Sequence, residues 1–143
     1  MPSINERLAA SGLPTEGVIV CGSGILDALG LREAEDVDVI ASKDLFAILQ
    51  ESGRYTCGHL DGDQYCRKGQ VEIGGKIVGE PYDGVEVWGT WFGEGYDDVA
   101  KGAIAIGGLR YMSVADTIEW KSQKGRKKDI KDIELLKEYY GVK

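Results

Sequence analysis

Residues 18–42, VIVCGSGILDALGLREAEDVDVIAS, carry most of the information about architecture in this chain. They begin with a short run rich in β-branched residues, Val18–Cys21, which is closed by Gly22-Ser23-Gly24. This pattern predicts a buried strand that ends in a glycine turn. A helix over Ile25–Leu29 is expected to follow, so the stretch predicts a strand, a turn and a helix in that order.

The same stretch ends in a second predicted strand, Asp36–Ile40, in which charged and apolar residues alternate. Successive side chains of a strand point to opposite faces, so Asp36 and Asp38 share one face. Two carboxylates placed in this way are able to bind a pair of Mg²⁺ ions, while backbone N–H groups of a glycine turn, helped by the Ser23 hydroxyl, are able to hold a phosphate.

Each half also has an ordinary interpretation. Gly22-Ser23 alone is typical of a strand-to-helix turn with Ser23 as the N-cap. Asp36 and Asp38 alone are typical of a solvated strand face or of a helix-capping pair. Occurring together and in this order, the two halves favour a metal and phosphate site.

Gly22-Ser23, followed after a short spacer by Asp36-Val37-Asp38-Val39, resembles the motif of the nucleotidyltransferase superfamily. This is the fold shared with DNA polymerase β, and the resemblance is to its minimal single-domain bacterial or phage members. It implies an α/β (α+β) fold, namely a mixed sheet flanked by helices with a β-meander insertion and C-terminal helices. It also implies that residues 1–143 form one domain.

A third carboxylate on a later strand completes the family's metal site. Glu86 in GVEVWG is the residue that we match to it, because it belongs to the longer apolar strand and is followed by the expected helix and strand. Glu72 in QVEIGG has the same local pattern and remains the alternative. A surface position on an alternating strand would also explain Glu86.

The C-terminal third, IGGLRYMSVADTIEWKSQKGRKKDIKDIELL, resembles the closing helices of small bacterial relatives. The resemblance implies that Lys121, Arg126 and Lys128 lie near the nucleotide phosphates. It also implies that Asp129 and Asp132 tie the turn to neighbouring helices. The alternative is a solvated helix connection whose positive charges complement a helix dipole.

Taken together, the resemblance implies a Mg²⁺-dependent enzyme that transfers a nucleoside monophosphate from an NTP, ATP among them, to an acceptor hydroxyl and releases pyrophosphate. Asp36, Asp38 and Glu86 would bind two metal ions, and Gly22-Ser23-Gly24 with Lys121 and Arg126 would bind the nucleotide. The acceptor, whether RNA, protein or small molecule, is left open, as is a homodimer or a partner protein that would help to hold it. The alternative is a non-catalytic nucleotide-binding or partner-binding member, of the toxin-antitoxin or phage-defence type.

Charge and hydropathy limit the partners and the cellular location that we expect for this chain. The chain has 143 residues and a net charge of −7, which opposes broad affinity for nucleic acids and for anionic membranes. It has no apolar run long enough to span a bilayer and no apolar N-terminal segment typical of a signal peptide. A cytoplasmic protein is therefore expected.

The residues Cys21, Cys57 and Cys66 have no metal-binding or redox spacing, and we expect reduced cysteines that serve in packing. The single histidine, His59, is predicted to be a turn residue rather than a catalytic base. The tryptophans are predicted to serve in the core or on a partner-facing surface rather than as nucleobase platforms.

The remaining pattern predicts helices, strands and one antiparallel meander. The predicted segments are helices over Ser3–Ser11 and Asp44–Glu51, a meander over Arg54–Phe92 ending in the strand Val85–Trp88, a short helix after Gly95, a strand at Ala103–Ile106, and helices from Ser113 to about Gln123 and over Asp129–Tyr140.

Overall fold

The structure, a computed structural model, describes residues 3–141. Its strands are β1 (Val18–Cys21), β2 (Val37–Ala41), β3 (Tyr55–Leu60), β4 (Asp63–Lys68), β5 (Val71–Ile73), β6 (Lys76–Val78), β7 (Val85–Trp88), β8 (Thr90–Trp91), β9 (Glu94–Gly95), β10 (Ile104–Ile106) and β11 (Leu109–Tyr111). Its helices are α1 (Ile4–Ser11), α2 (Gly24–Ala28), α3 (Lys43–Glu51), α4 (Tyr96–Ala100), α5 (Val114–Lys124) and α6 (Lys127–Tyr139).

A mixed seven-stranded sheet organises the molecule, in the order β10-β11-β1-β2-β7-β4-β3. Strand β1 runs antiparallel to β2 and parallel to β11, and β2 runs parallel to β7. The apolar side chains of the central strands are buried, and helices pack against them. The predicted mixed α/β class is therefore confirmed.

Local sequence signals start the helices where they were predicted. The Ser3 hydroxyl accepts a hydrogen bond from the Glu6 N–H while Glu6 accepts one from the Ser3 N–H, which is a capping box. The hydroxyls of Ser42 and Ser113 likewise accept backbone N–H bonds at the starts of α3 and α5. The predicted helices are confirmed, with ends that differ by one or two residues.

The meander prediction is wrong for part of its length. Strands β3 and β4 form the expected hairpin, but β5 and β6 form a separate two-stranded sheet outside the main one. Strand β7 then returns between β2 and β4, so its neighbour β2 is parallel to it. Short-range turn signals predict hairpins well, but they contain no information about this long-range parallel pairing.

The prediction of three reduced cysteines is also wrong. Cys57 and Cys66 form a disulfide across the β3–β4 hairpin, where they are directly opposite each other in register, and only the buried Cys21 is a free thiol among the described residues. A signal existed in the sequence, because both cysteines lie at equal distances from the Asp61-Gly62 turn. A hairpin closed by that turn places them in register.

His59 lies in the body of β3, opposite Gln64, so the prediction of a turn position is wrong. No helix within residues 3–141 is both long and apolar enough to cross a membrane.

Candidate active site

Neighbouring strands bring the distant halves of the motif together. Cys21, the last residue of β1, pairs with Asp38 on β2, and Asp38 pairs with Glu86 on β7. The glycine turn that follows β1 therefore begins beside the carboxylates. A Cβ atom built on Gly22 would lie 3.2 Å from Oδ2 of Asp38.

Asp36, Asp38 and Glu86, together with Ser23, line one cavity of about 800 Å³. Asp36 is exposed, and Asp38 and Glu86 are half-buried. Basic residues from the α5–α6 region, a group of aromatic side chains and several further acidic residues also line it. The cavity is large enough for a nucleotide-sized ligand.

The surroundings of Asp38 shift the pKa of its carboxyl group. Burial is the main cause that raises its pKa, to about 6, and the negative charges of Glu86 and Asp36 add to this rise. The indole N–H of Trp88 donates a hydrogen bond to Oδ1 of Asp38 at 3.1 Å, which opposes the rise. A half-buried carboxylate facing two like charges is stabilised when a cation binds beside it.

Two further side chains influence the carboxylates, and no sequence pattern pointed to either. The Arg67 guanidinium lies 3.6 Å from Oε1 of Glu86, because the two residues are in register between β4 and β7. Partial burial, together with the negative charges of Glu86 and Asp36, raises the pKa of the Tyr82 hydroxyl well above its usual range.

The Ser23 hydroxyl is held by a buried ionic network rather than by a helix cap. It accepts a hydrogen bond from Nζ of Lys121 at 2.9 Å and makes no capping bond to α2. The same ammonium donates to Oδ2 of Asp132 at 2.8 Å, and Arg32 makes two hydrogen bonds to Asp132, at 2.6 and 2.7 Å. The network connects the glycine turn to α5 and α6.

Asp129 holds the turn between α5 and α6, since it accepts hydrogen bonds from Nε and the backbone N–H of Arg126. The Lys121 side chain is 1% exposed, whereas that of Arg126 is 46% exposed and lines the cavity. Lys128 lies at the same cavity wall. Contact of these basic groups with phosphate stays a prediction.

The two candidates for the third carboxylate lie in different places. Glu86 is in register with Asp38 and lines the cavity. Glu72 is exposed on the separate β5–β6 hairpin and does not line that cavity. Glu72 and Asp38 therefore do not share a site in this structure.

The donor chemistry of the carboxylates fits Mg²⁺, which prefers oxygen ligands. Within residues 3–141, however, no group of three or more Asp, Glu, His or Cys side chains is already arranged to hold a metal ion. Asp38 and Glu86 are direct register partners on the neighbouring strands β2 and β7. Asp36, Asp38 and Glu86 thus have the right chemistry without a preformed coordination shell.

Aromatic residues form a larger part of the cavity than the sequence predicted. Trp88, Trp91, Phe92 and Trp120 all line it. Trp91 packs at ring-centroid distances of 5.4 Å from Trp88 and 5.0 Å from Trp120. Trp88 and Trp91 are buried core residues, and they line the cavity as well.

Comparison with known proteins gives one distant structural likeness. No family model matches the chain, and no curated protein sequence matches it. A solved structure that it resembles is that of ANT(2")-Ia, an aminoglycoside nucleotidyltransferase, in complex with adenylyl-2"-tobramycin. The two are 19% identical, with 96% of this chain and 86% of that chain covered and a TM-score of 0.47. A likeness at this level carries no argument about family, activity or substrate.

Proposed function

We propose that this protein is a Mg²⁺-dependent nucleotidyltransferase that moves a nucleoside monophosphate from an NTP to an acceptor hydroxyl and releases pyrophosphate. The observation that carries the proposal is the meeting of Asp36, Asp38, Glu86 and Ser23 at one cavity, although they come from separate parts of the sequence. A half-buried carboxyl group with a raised pKa, as at Asp38, in a cavity of this size is typical of a functional site.

Asp36, Asp38 and Glu86 would hold Mg²⁺, which when bound neutralises the phosphates and makes an acceptor hydroxyl more acidic. Glu86 orients that hydroxyl and takes its proton. The acceptor oxygen forms a bond to the α-phosphorus as the bond between the α-phosphorus and the bridging oxygen breaks, and pyrophosphate leaves with that oxygen. Positioning and charge neutralisation supply most of the rate.

The glycine turn, Gly22-Ser23-Gly24, would bind the triphosphate through backbone N–H groups and the Ser23 hydroxyl. Lys121 supports this role from the buried network, since its ammonium fixes the position of the Ser23 oxygen. Arg126 extends the positive charge at the cavity wall, where an incoming polyphosphate would meet it. These are the roles that we assign to the basic residues.

The acceptor is an RNA, a protein or a small molecule with a free hydroxyl group. A second copy of the chain or a partner protein would help to hold it. The net charge of −7 limits any nucleic-acid contact to a local basic patch. We propose a cytoplasmic protein in which residues 1–143 act as a single domain, although the Cys57–Cys66 disulfide is unusual for that compartment.

A second candidate function is non-catalytic binding of a nucleotide or a partner protein on the same fold. Two observations favour it. The described part of the chain has no preformed metal site, and the Trp88 indole occupies one carboxylate oxygen of Asp38. Fold alone does not decide between binding and turnover.

The test is thermal unfolding with each NTP, with and without Mg²⁺, in the wild type and in the Asp36→Asn/Asp38→Asn variant. A ligand present at a hundred times its Kd stabilises the folded state by about 2.7 kcal/mol. We expect a Mg²⁺-dependent rise in melting temperature that the double variant loses, each protein being compared with its own ligand-free state.

Glu72→Gln is the matched control, because it removes a carboxylate of the same local pattern outside the cavity, and it should keep the rise. Release of pyrophosphate from the preferred NTP then separates turnover from binding. Mg²⁺-dependent stabilisation without any pyrophosphate release would favour the second candidate. A rise that persists in the double variant, or no rise with any nucleotide, would contradict the proposed site.

A further inference from the structure

Three aromatic residues form a continuous wall on one side of the cavity. Trp91, Phe92 and Trp120, called here the aromatic wall, have ring centroids 5.0 Å apart for the two tryptophans and 5.7 and 5.6 Å from each of them to Phe92. The Phe92 side chain is nevertheless exposed, with 46% of its surface accessible. A large apolar ring is thus held at the surface of the cavity rather than buried beneath it.

The backbone of Phe92 is held in a conformation that non-glycine residues rarely adopt, with a φ of 53°. Asp63 is buried and fixes the segment, since it accepts hydrogen bonds from the N–H groups of Phe92 and Gly93, both at 3.0 Å, and from the Thr90 hydroxyl at 2.8 Å. Conformations of this kind cost free energy and cluster at ligand-binding sites.

The aromatic wall adjoins both positive charge and the candidate catalytic carboxylates. The Lys124 ammonium lies 5.3 Å from the centre of the Phe92 ring, and Arg126, Lys128 and Lys131 line the same cavity. On its other side, Trp120 lies within 3.9 Å of a Cβ atom built on Gly22. A ligand that fits an aromatic surface beside basic side chains has a planar ring and attached phosphate groups. A neutral saccharide lacks this combination.

The aromatic wall also has hydrogen-bonding capacity that the protein does not use. The indole N–H groups of Trp91 and Trp120 are shielded from water and have no hydrogen-bond acceptor among residues 3–141. Since these donors are shielded from the cavity as well, the aromatic wall offers a ligand its ring surfaces rather than hydrogen bonds, which suits stacking.

We propose that the aromatic wall stacks an unpaired nucleobase, carried either by the NTP or by the single-stranded end of a nucleic-acid acceptor. This inference rests on the proposed function, because it places the base beside the carboxylates that would act on its phosphates. Stacking suits every base, since each one has a π-face, so the aromatic wall contributes affinity with little base preference.

The test uses intrinsic fluorescence in the presence of EDTA, so that neither a metal ion nor turnover is needed. All 3 tryptophans of the chain line the cavity, and quenching therefore reports directly on its occupancy. The probes are adenosine monophosphate, a short single-stranded oligonucleotide, and ribose 5-phosphate as the ligand without a base. We expect the first or the second to quench, and ribose 5-phosphate to leave the fluorescence unchanged.

Phe92→Leu removes the aromatic face and should weaken base binding about tenfold. Phe92→Tyr keeps that face and should retain the affinity, which separates stacking from a general loss of structure. Tyr140→Leu is the matched control, because Tyr140 is an aromatic residue of similar exposure, 42%, outside the cavity. It should bind as the wild type does.

The source of the base follows from which probe depends on Phe92. If adenosine monophosphate binds more weakly to Phe92→Leu, the base belongs to the NTP. If only the oligonucleotide binds more weakly, the base belongs to the acceptor. The stacking proposal is overturned if ribose 5-phosphate quenches as strongly as adenosine monophosphate, or if Phe92→Leu changes neither affinity. Such a failure would leave the Mg²⁺-dependent stabilisation intact, so the two proposals can fail separately.

Discussion

Two groups of acidic residues lie close together in this molecule and have opposite electrostatics. Asp129 and Asp132, on α6, are buried, and burial by itself raises a carboxyl pKa. Hydrogen bonds from Arg126 to Asp129, and from Arg32 and Lys121 to Asp132, outweigh that effect and hold both pKa values below the usual range. Asp38, at the end of the central strands, has its pKa raised instead.

The difference lies in the partners and not in the residue type. The aspartates of α6 have nearby cations from the chain itself, so they connect helices to the glycine turn. Asp38 faces Asp36 and Glu86, and the Arg67 guanidinium, which is half exposed, lies 3.6 Å from Glu86. The first group is structurally complete, whereas the second has a net negative charge that a ligand cation would neutralise.

Breaking the complete group should have the largest effect on stability. Asp132→Asn leaves the Lys121 ammonium, which is 1% exposed, without its closest counter-charge. Removing one partner of a buried ion pair costs about 3–5 kcal/mol, so we expect a loss of that size in the free energy of unfolding by urea.

The control for Asp132→Asn is Asp98→Asn, which removes the exposed ion pair with Lys101 and should cost less than about 1 kcal/mol. Equal losses in the two variants would show that the buried network contributes no more than a surface pair.

Neutralising a carboxylate of the incomplete group should instead raise the free energy of unfolding. Asp38→Asn removes a charge that the folded state disfavours, and we expect a gain of about 1–2 kcal/mol at pH 7.5. The folded pKa of about 6 exceeds the ordinary value of 3.8, so wild-type stability from this group falls as pH rises between these values. The gain should therefore be full above pH 6 and vanish below about pH 4, as measured by urea unfolding across this range.

Glu72→Gln serves as the control for this pH series, because an exposed glutamate on the β5–β6 hairpin should give no gain at any pH. A destabilising Asp38→Asn at pH 7.5 would mean that the Trp88 hydrogen bond matters more than the repulsion.

The smallest expected effect on stability is at the glycine turn, where two substitutions distinguish backbone strain from crowding by a side chain. Gly22 and Gly30 both have a positive φ, of 63° and 73°, so Ala at either position should cost about 1 kcal/mol. A Cβ atom on Gly30 meets nothing within 4 Å, whereas one on Gly22 meets Asp38. We therefore expect Gly22→Ala to lower the free energy of unfolding by urea by up to about 1 kcal/mol more than Gly30→Ala does. Equal costs would argue against close contact between the turn and Asp38.

Much of this architecture can be predicted from the sequence, because it is local. Strand β1 begins and ends as its β-branched run predicts, and Ser113 caps α5. The alternation in Asp36–Ile40 also places Asp38 on the less buried face of β2. Periodicity and capping are encoded within a few neighbouring residues, so they survive without knowledge of the rest of the chain.

The parts that could not be predicted depend on long-range pairing. The contact of Arg67 with Glu86 follows from the register of β4 against β7, and that of Arg32 with Asp132 from the packing of α6. Neither pair has a spacing that a sequence pattern could show. The position of Phe92, in the turn between β8 and β9, likewise depends on Asp63, a residue of β4.

The parallel pairing of β2 with β7 also has a consequence for how the protein folds. The Trp88 indole and the Asp38 carboxylate that it contacts are 50 positions apart in the chain, whereas the β3–β4 and β5–β6 hairpins between them close through short turns. Contacts of large sequence separation pay their loop-closure entropy before they gain stability, so they form late. The acidic end of the sheet is therefore assembled after the hairpins, and a nascent chain acquires it only once β7 has been synthesised.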